Sequence, residues 1–299
     1  MTNLYTNKDS NIRKTWLLFT VFLTVVIGLG WIFTQIYGDP GILYIAVIFS
    51  IGMSATGYWF SDKIVLKMSH AEPVTKANAK ELYNIVENLA ITAGLPTPKI
   101  YIIQEDVPNA FATGRNPEHA VVAVTTGLMD RLDRSELEGV LAHELSHIGN
   151  RDMLISTAAV ILVGFISIAS DFFMRSLWWG RRGSNDRRDM SPALMLIGIA
   201  FAILAPIAGT LMRLAISRKR ELLADASGAL LTRYPEGLAT ALEKISSDPR
   251  PMRVASNTTA HLWFDDPFDN KKQKPFFHGL FLTHPPVEER IKALRDLKL

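Results

Sequence analysis

The chain has 299 residues, enough for one sizeable domain or two small ones. Nearly half of them are apolar (48%) and the mean hydropathy is +0.15, high for a soluble protein, while a net charge of only +3 spread along the chain argues against nucleic acid as a partner. Cysteine is absent, which excludes a disulfide framework and any thiolate metal site, so a metal here must be held by histidines and carboxylates.

Four uncharged apolar runs account for the composition: Trp16 to Tyr37, Gly41 to Phe60, Met153 to Ser170 and Met190 to Met212. A bilayer core about 30 Å thick needs roughly 20 helical residues, and all four runs approach or exceed that length. The first is too long for the apolar part of a secretory signal, and no small-x-small cleavage pattern follows it before the second run, so it reads as a retained anchor. Lys8, Arg13 and Lys14 precede the first run, the connection Gly38-Asp39-Pro40 has no basic residue, and Lys63 and Lys67 follow the second run. The positive-inside rule then places the N-terminus and the segment from Ser61 onward in the cytoplasm. The second pair is less clean. The loop from Asp171 to Asp189 carries Arg175, Arg181, Arg182, Arg187 and Arg188, whereas Arg218, Lys219 and Arg220 follow the fourth run. Either the loop crosses despite its charge, which is the expectation, or the third and fourth runs form a hairpin that does not fully span.

The polar segments read as α+β. Pro73 to Ala93 has helical periodicity, with Leu82, Ile85, Val86 and Leu89 on one face and Gly94 as its stop. Lys99 to Ile103 and His119 to Thr125 are β-rich, and Asn109 to Thr113 between them reads as a third strand ahead of a turn at Gly114. Ser135 with Glu138 reads as a capping box opening a helix through Leu137, Val140 and Leu141. Further helices are expected around Pro235 to Ser246 and from Pro286 to Leu297. Asp248 to Pro275, rich in Pro, Asp, Asn and Lys, reads as a mobile loop.

Within the capped helix, His143-Glu144-Leu145-Ser146-His147 is an HExxH motif. Histidines at i and i+4 project from one helical face, so both imidazoles reach one ion. Zinc suits neutral imidazoles and tolerates an open coordination position. Glu144, next to the first histidine, is placed to take a proton from the attacking water. The plain alternative is a helix with two surface histidines and a glutamate; a capped, buried helix entering a membrane segment is a costly place for three such side chains. A third ligand is needed, and no HxxGxxH extension follows His147. Ser217 to Asp225 supplies a carboxylate instead, with Glu221 and Asp225 four apart on one helical face. Glu221 is the candidate ligand, and Asp225 can orient a ligand histidine by accepting its free N–H. If both helices run continuously into the apolar runs, a rise of 1.5 Å per residue puts the metal on the order of 10–15 Å from the membrane-embedded ends.

These residues make the chain resemble the bacterial HtpX heat-shock membrane proteases, relatives of the integral-membrane CAAX prenyl endoproteases. The resemblance runs over nearly the full length and rests on HELSH, two apolar pairs, SRKRELLAD and the C-terminal THPPVEER. It implies a zincin-like catalytic domain over residues 61–299, interrupted by an apolar helix pair at 153–170 and 190–216, behind a two-helix anchor at residues 1–60. It implies one zinc per chain on His143, His147 and Glu221, with Glu144 as catalytic acid and base and Asp225 behind a ligand histidine. Damaged or misfolded membrane proteins would be the substrates, cleaved at the cytoplasmic side of the bacterial membrane in quality control and stress response. Asn109, Ala110, Phe111, Ala112 and Thr113, with Gly114, match the family's edge strand, against which a substrate lies antiparallel. His284 is placed to stabilise the oxyanion with Arg290 supporting it; the plain alternative has Arg290 pairing with Glu288 or Glu289. Two other functions stay open: a CAAX-type prenyl-peptide processor, disfavoured by the short membrane part, and a membrane scaffold with a structural metal, for which Glu144 has no use.

Overall fold

The structure is a computed structural model that describes residues 4–160, 162, 164, 217–255, 259–268 and 285–297. The chain begins with two long helices, α1 (Leu4–Tyr37) and α2 (Gly41–Trp59), joined through Gly38 at φ 69°. Asp9–Gln35 and Gly41–Trp59 are long and apolar enough to cross a membrane, and only 22% and 11% of their most apolar windows are buried. Apolar surface turned outward on this scale suits lipid, not the inside of a water-soluble core. At 1.5 Å per residue α1 is about 50 Å long and outruns a bilayer core by several turns.

After the anchor come α3 (Ser61–Met68), strand β1 (Glu72–Pro73) and α4 (Lys80–Thr92). The expected helix from Pro73 therefore starts seven residues late. Pro73 lies in β1, and the Thr75 N–H bonded to Asn78 Oδ1 at 2.7 Å folds a turn first. Its expected face, Leu82, Ile85, Val86 and Leu89, is buried, and Gly94 at φ 64° stops it. Strands β2 (Lys99–Ile103), β3 (Ala110–Gly114) and β4 (Ala120–Thr125) follow, and the sheet order is β1-β2-β4-β3. β2 and β4 run parallel, and β3 pairs antiparallel with β4 in the register Ala110↔Val124 to Gly114↔Ala120. Among the described strands β3 is thus an edge.

Side-chain alternation divides the sheet between two cores. Ile100, Ala110, Ala112, Ala120, Val122 and Val124 face a cluster with Leu82, Val140, Leu141, Leu145 and Leu242 from the helices. Phe111, Val121 and Ala123 face the other way, against Val65 and Leu66 of α3 and against Trp263. The helical layer continues with α5 (Thr126–Arg131), α6 (Arg134–Asn150), α7 (Arg218–Thr232), α8 (Pro235–Ser246) and α9 (Val287–Arg295). The capping box of α6 is Asp133 with Glu136, not Ser135 with Glu138: Asp133 Oδ1 accepts from Glu136 N and Glu136 Oε2 from Asp133 N. Ser135 instead donates to Asp133 Oδ1. The helix starts two residues earlier because Asp is at least as good an N-cap as Ser and here has its partner three residues on.

α6 does not run on into the apolar segment. It ends at Asn150, Arg151 adopts the left-handed conformation at φ 55°, and a new helical stretch begins at residue 153. α7 likewise starts at Arg218 after an extended Ser217. Residues 161, 163 and 165–170 of the third run, all of 190–216 and the basic loop between them lie outside the described residues, as does His284.

Candidate active site

α6 is buried on nearly every side, which fixes the direction of both its histidines. α7 crosses it closely: a Cβ on Gly228 would sit 2.9 Å from His143 N, so glycine is needed there for the two helices to meet. That approach carries Glu221 and Asp225 of α7 to the histidines of α6. His143 Nε2 and His147 Nε2 lie 3.0 Å apart, and Glu221 reaches them at 3.7 Å and 3.8 Å. The three residues can each offer one ligand atom with all of them within 4.8 Å of one another.

Behind each histidine stands a carboxylate. Asp225 Oδ1 is 2.9 Å from His143 Nδ1, a short approach too bent for a well-directed hydrogen bond. Both oxygens of Asp152 lie 3.1 Å from His147 Nδ1. A carboxylate at each Nδ1 assigns the proton to that nitrogen and leaves both Nε2 lone pairs facing one another. Two such lone pairs at 3.0 Å repel unless a proton or a metal ion lies between them. Ligand atoms around a tetrahedral ion bound at 2.0–2.1 Å sit about 3.3 Å apart, so the observed separations bracket what zinc requires. The electrostatics agree. Burial alone would depress both imidazoles, but Asp225 and Glu221 overrule it at His143, and Asp152 and Glu221 push His147 up to about 10. The pocket therefore draws positive charge. The residues fit a divalent metal.

Asp225 is itself held. The Arg290 guanidinium grips it with two bonds, Nε to Oδ2 at 2.8 Å and Nη2 to Oδ1 at 2.7 Å, and its Nη1 donates to the Phe264 carbonyl at 3.2 Å. Burial would raise the Asp225 carboxyl, and Arg290 reverses this, holding it well below the usual carboxylate range. Arg290 is completely buried. The sequence has it supporting His284, which lies outside the described residues, or pairing with Glu288 or Glu289; among the described carboxylates it binds Asp225, because the α9 face that carries it packs towards α7.

The cleft in front of the histidines is lined by Ala112, Glu144, Met153, Leu262, Trp263 and Phe264, among others. Phe264 stands edge-on to the His143 ring, with centroids 5.0 Å apart. The segment expected as a mobile loop thus provides part of the cleft wall, with Trp263 and Phe264 almost fully buried. Asn109 fastens it: its side chain accepts from Asp265 N at 3.1 Å and donates to Asp265 O at 3.0 Å. Of the five residues expected to meet substrate, Asn109 is thus occupied by its own chain, and Phe111 points away, packed against Trp263. Thr113 bonds Thr157 at 2.9 Å, and the Ala110 carbonyl accepts from Phe264 N at 2.8 Å. Ala112 alone of the five lines the cleft. Sequence reasoning missed Asp152, Trp263 and Phe264. The first was legible as a lone carboxylate five residues after His147, and the aromatic pair as an apolar interruption in a polar stretch.

Two histidines from one helix, a carboxylate from a second and a glutamate in the same cleft, beside an outward-facing apolar hairpin, define a membrane-anchored metallopeptidase. The family model described as "Peptidase family M48" matches residues 76–298. A "Protease HtpX homolog" of Caldanaerobacter subterraneus is 45% identical over 99% of this chain and 98% of its own length, and one of Pyrococcus abyssi is 46% identical over 96% of each. The crystal structure of S. mikatae Ste24p shares the fold at a TM-score of 0.51 and 19% identity, covering 98% of this chain and 67% of that one. This chain belongs to peptidase family M48.

Proposed function

We propose that the protein is a zinc endopeptidase of membrane-protein quality control, acting at the cytoplasmic face of a bacterial membrane. The observation that carries this reading is that Glu144 and Ala112 of the edge strand line one cleft with the three candidate ligands. Bound zinc would supply a Lewis acid for the scissile carbonyl and lower the pKa of water beside it. Glu144 takes the proton of the attacking water and returns it to the leaving amine. Asn109 O accepts from Thr125 N, so the alternation of an antiparallel pair turns the backbone groups of Ala110, Ala112 and Gly114 outward. With Ala110 engaged by Phe264, Ala112 holds the substrate backbone by strand addition. Asp225, Asp152 and Arg290 act on the histidines as positioning residues. His284, outside the described residues, is assigned to the oxyanion. The catalytic domain, in this reading, is residues 61–299 behind an anchor at 1–60.

Purified protein is expected to hold one zinc per chain and to hydrolyse casein only when loaded. Glu221→Ala leaves two imidazoles and should lose both metal and activity, whereas Asp225→Asn and Asp152→Asn should cost roughly 10–100-fold in affinity or rate. Full zinc retention by Glu221→Ala would refute the ligand set. Sidedness has its own test, made clean by the lack of native cysteine. Ser135→Cys should react with an impermeant maleimide only after lysis, and reaction in intact cells would reverse the orientation.

A further inference from the structure

A second cavity, of about 140 Å³, lies where the near end of the anchor meets the catalytic domain, lined by Thr15, Trp16, Tyr58, Arg115, Asn116 and Arg151 among others. A single water needs only about 10–15 Å³ by the same measure, so the space admits a polyatomic group. Its two arginines are half-buried, and neither pairs with a carboxylate among the described residues. Arg115 rests on the Trp59 ring at 4.7 Å and donates to the Trp59 carbonyl at 3.3 Å. Arg151 occupies the left-handed position that ends α6, where glycine is the least strained residue. Two arginines lining one space beside Asn116 make a donor set for an anion, while the Thr15 hydroxyl is spent on the Asn11 carbonyl at 2.9 Å, and phosphate oxygens match the guanidiniums best.

The surroundings say where such an anion comes from. Trp16 stacks on Tyr58 at 6.2 Å, and Trp59 is edge-on to Tyr58 at 5.3 Å. Tyr58 and Trp59 end the second candidate span and Trp16 opens the uncharged run of the first, all away from the connecting turn, and Trp16, Leu17 and Trp59 are more than half exposed. Exposed aromatic rings at the end of a lipid-facing hairpin mark the headgroup level of a bilayer. We propose that this cavity binds the phosphate of an anionic phospholipid, with the acyl chains running down the outer faces of α1 and α2. The proposal rests on the reading of α1 and α2 as membrane spans and is independent of the metal site.

Native mass spectrometry of the full-length protein in detergent reads the binding directly. Phosphatidylglycerol is expected to be retained about 10-fold more strongly than phosphatidylcholine, since two arginines face one added negative charge. Millimolar inorganic phosphate should not displace it, because it lacks the apolar part. Arg115→Gln/Arg151→Gln should remove the preference, and Arg115→Gln alone, which leaves the turn that places Asp152 intact, should weaken it while metal content stays unchanged. Equal retention of the two lipids, or a preference that survives the double substitution, would overturn the site. Displacement by inorganic phosphate would overturn the lipid as its occupant. If the double variant does not fold, the competition on the wild-type protein decides alone. Anchoring is read separately: every arm uses the same membrane-extracted chain, so loss of selectivity is distinct from failure of α1 and α2 to insert.

Discussion

Glu144→Ala should lower peptide hydrolysis by about 10²–10⁴-fold while zinc content stays near one per chain. The residue lines the cleft next to the ligands but does not belong to the ligand group His143, His147 and Glu221. Removing it therefore takes away the proton acceptor and leaves the ion's ligands in place. The loss should appear in kcat more than in KM, because proton transfer belongs to the transition state and the substrate is held elsewhere, along Ala112. Parallel zinc analysis and casein hydrolysis check this. Normal turnover would sink the proposed chemistry, and lost zinc would show that Glu144 serves the metal.

The largest effect on stability is expected at Arg290. Arg290→Met keeps most of the side-chain volume but leaves Asp225 a buried carboxylate without its bidentate partner, which costs about 3–5 kcal/mol. Urea unfolding in detergent would show it. Adding Asp225→Asn should recover part of that loss, because a neutral amide leaves no unpaired charge. Zinc affinity should not recover with it, since Asn cannot act on His143 as the carboxylate does. An unchanged midpoint in the single variant would contradict the structural role and return Arg290 to the oxyanion role expected from the sequence.

The parts of the site that sit within one helix were legible in the sequence, since i and i+4 spacing fixes their direction. His143, Glu144 and His147 are of this kind, and so are Glu221 and Asp225 on α7. The strand itself is legible too, but not that Ala112 alone of its five residues lines the cleft with the candidate ligands. What the sequence did not reveal depends on contacts between distant segments. Arg290 reaches Asp225 across 65 positions, and Asn109 reaches Asp265 across 156. Neither pairing leaves a local pattern. Asp152 is hidden for another reason: a helix running on into the apolar segment would point it off the His147 face, and the left-handed turn at Arg151 folds the carboxylate back onto that ring. Composition misled at Trp263 and Phe264, where polar neighbours concealed two of the most buried side chains in the protein.

The surplus length of α1 has a consequence for kinetics. Its first turns leave the apolar stretch and dock on the catalytic helix, with Asn11 Nδ2 donating to the Asn150 carbonyl at 3.2 Å, and Leu18, Phe19 and Phe22 pack against Ile155, Ala158 and Ala159. A catalytic helix fastened in this way to its own anchor keeps a constant height above the bilayer. In the proposed orientation the enzyme sweeps a thin slab instead of a volume. Its collisions with anchored substrates are then set by molecules per unit area, so that extra lipid separates enzyme from substrate even when the amount of each per litre is unchanged.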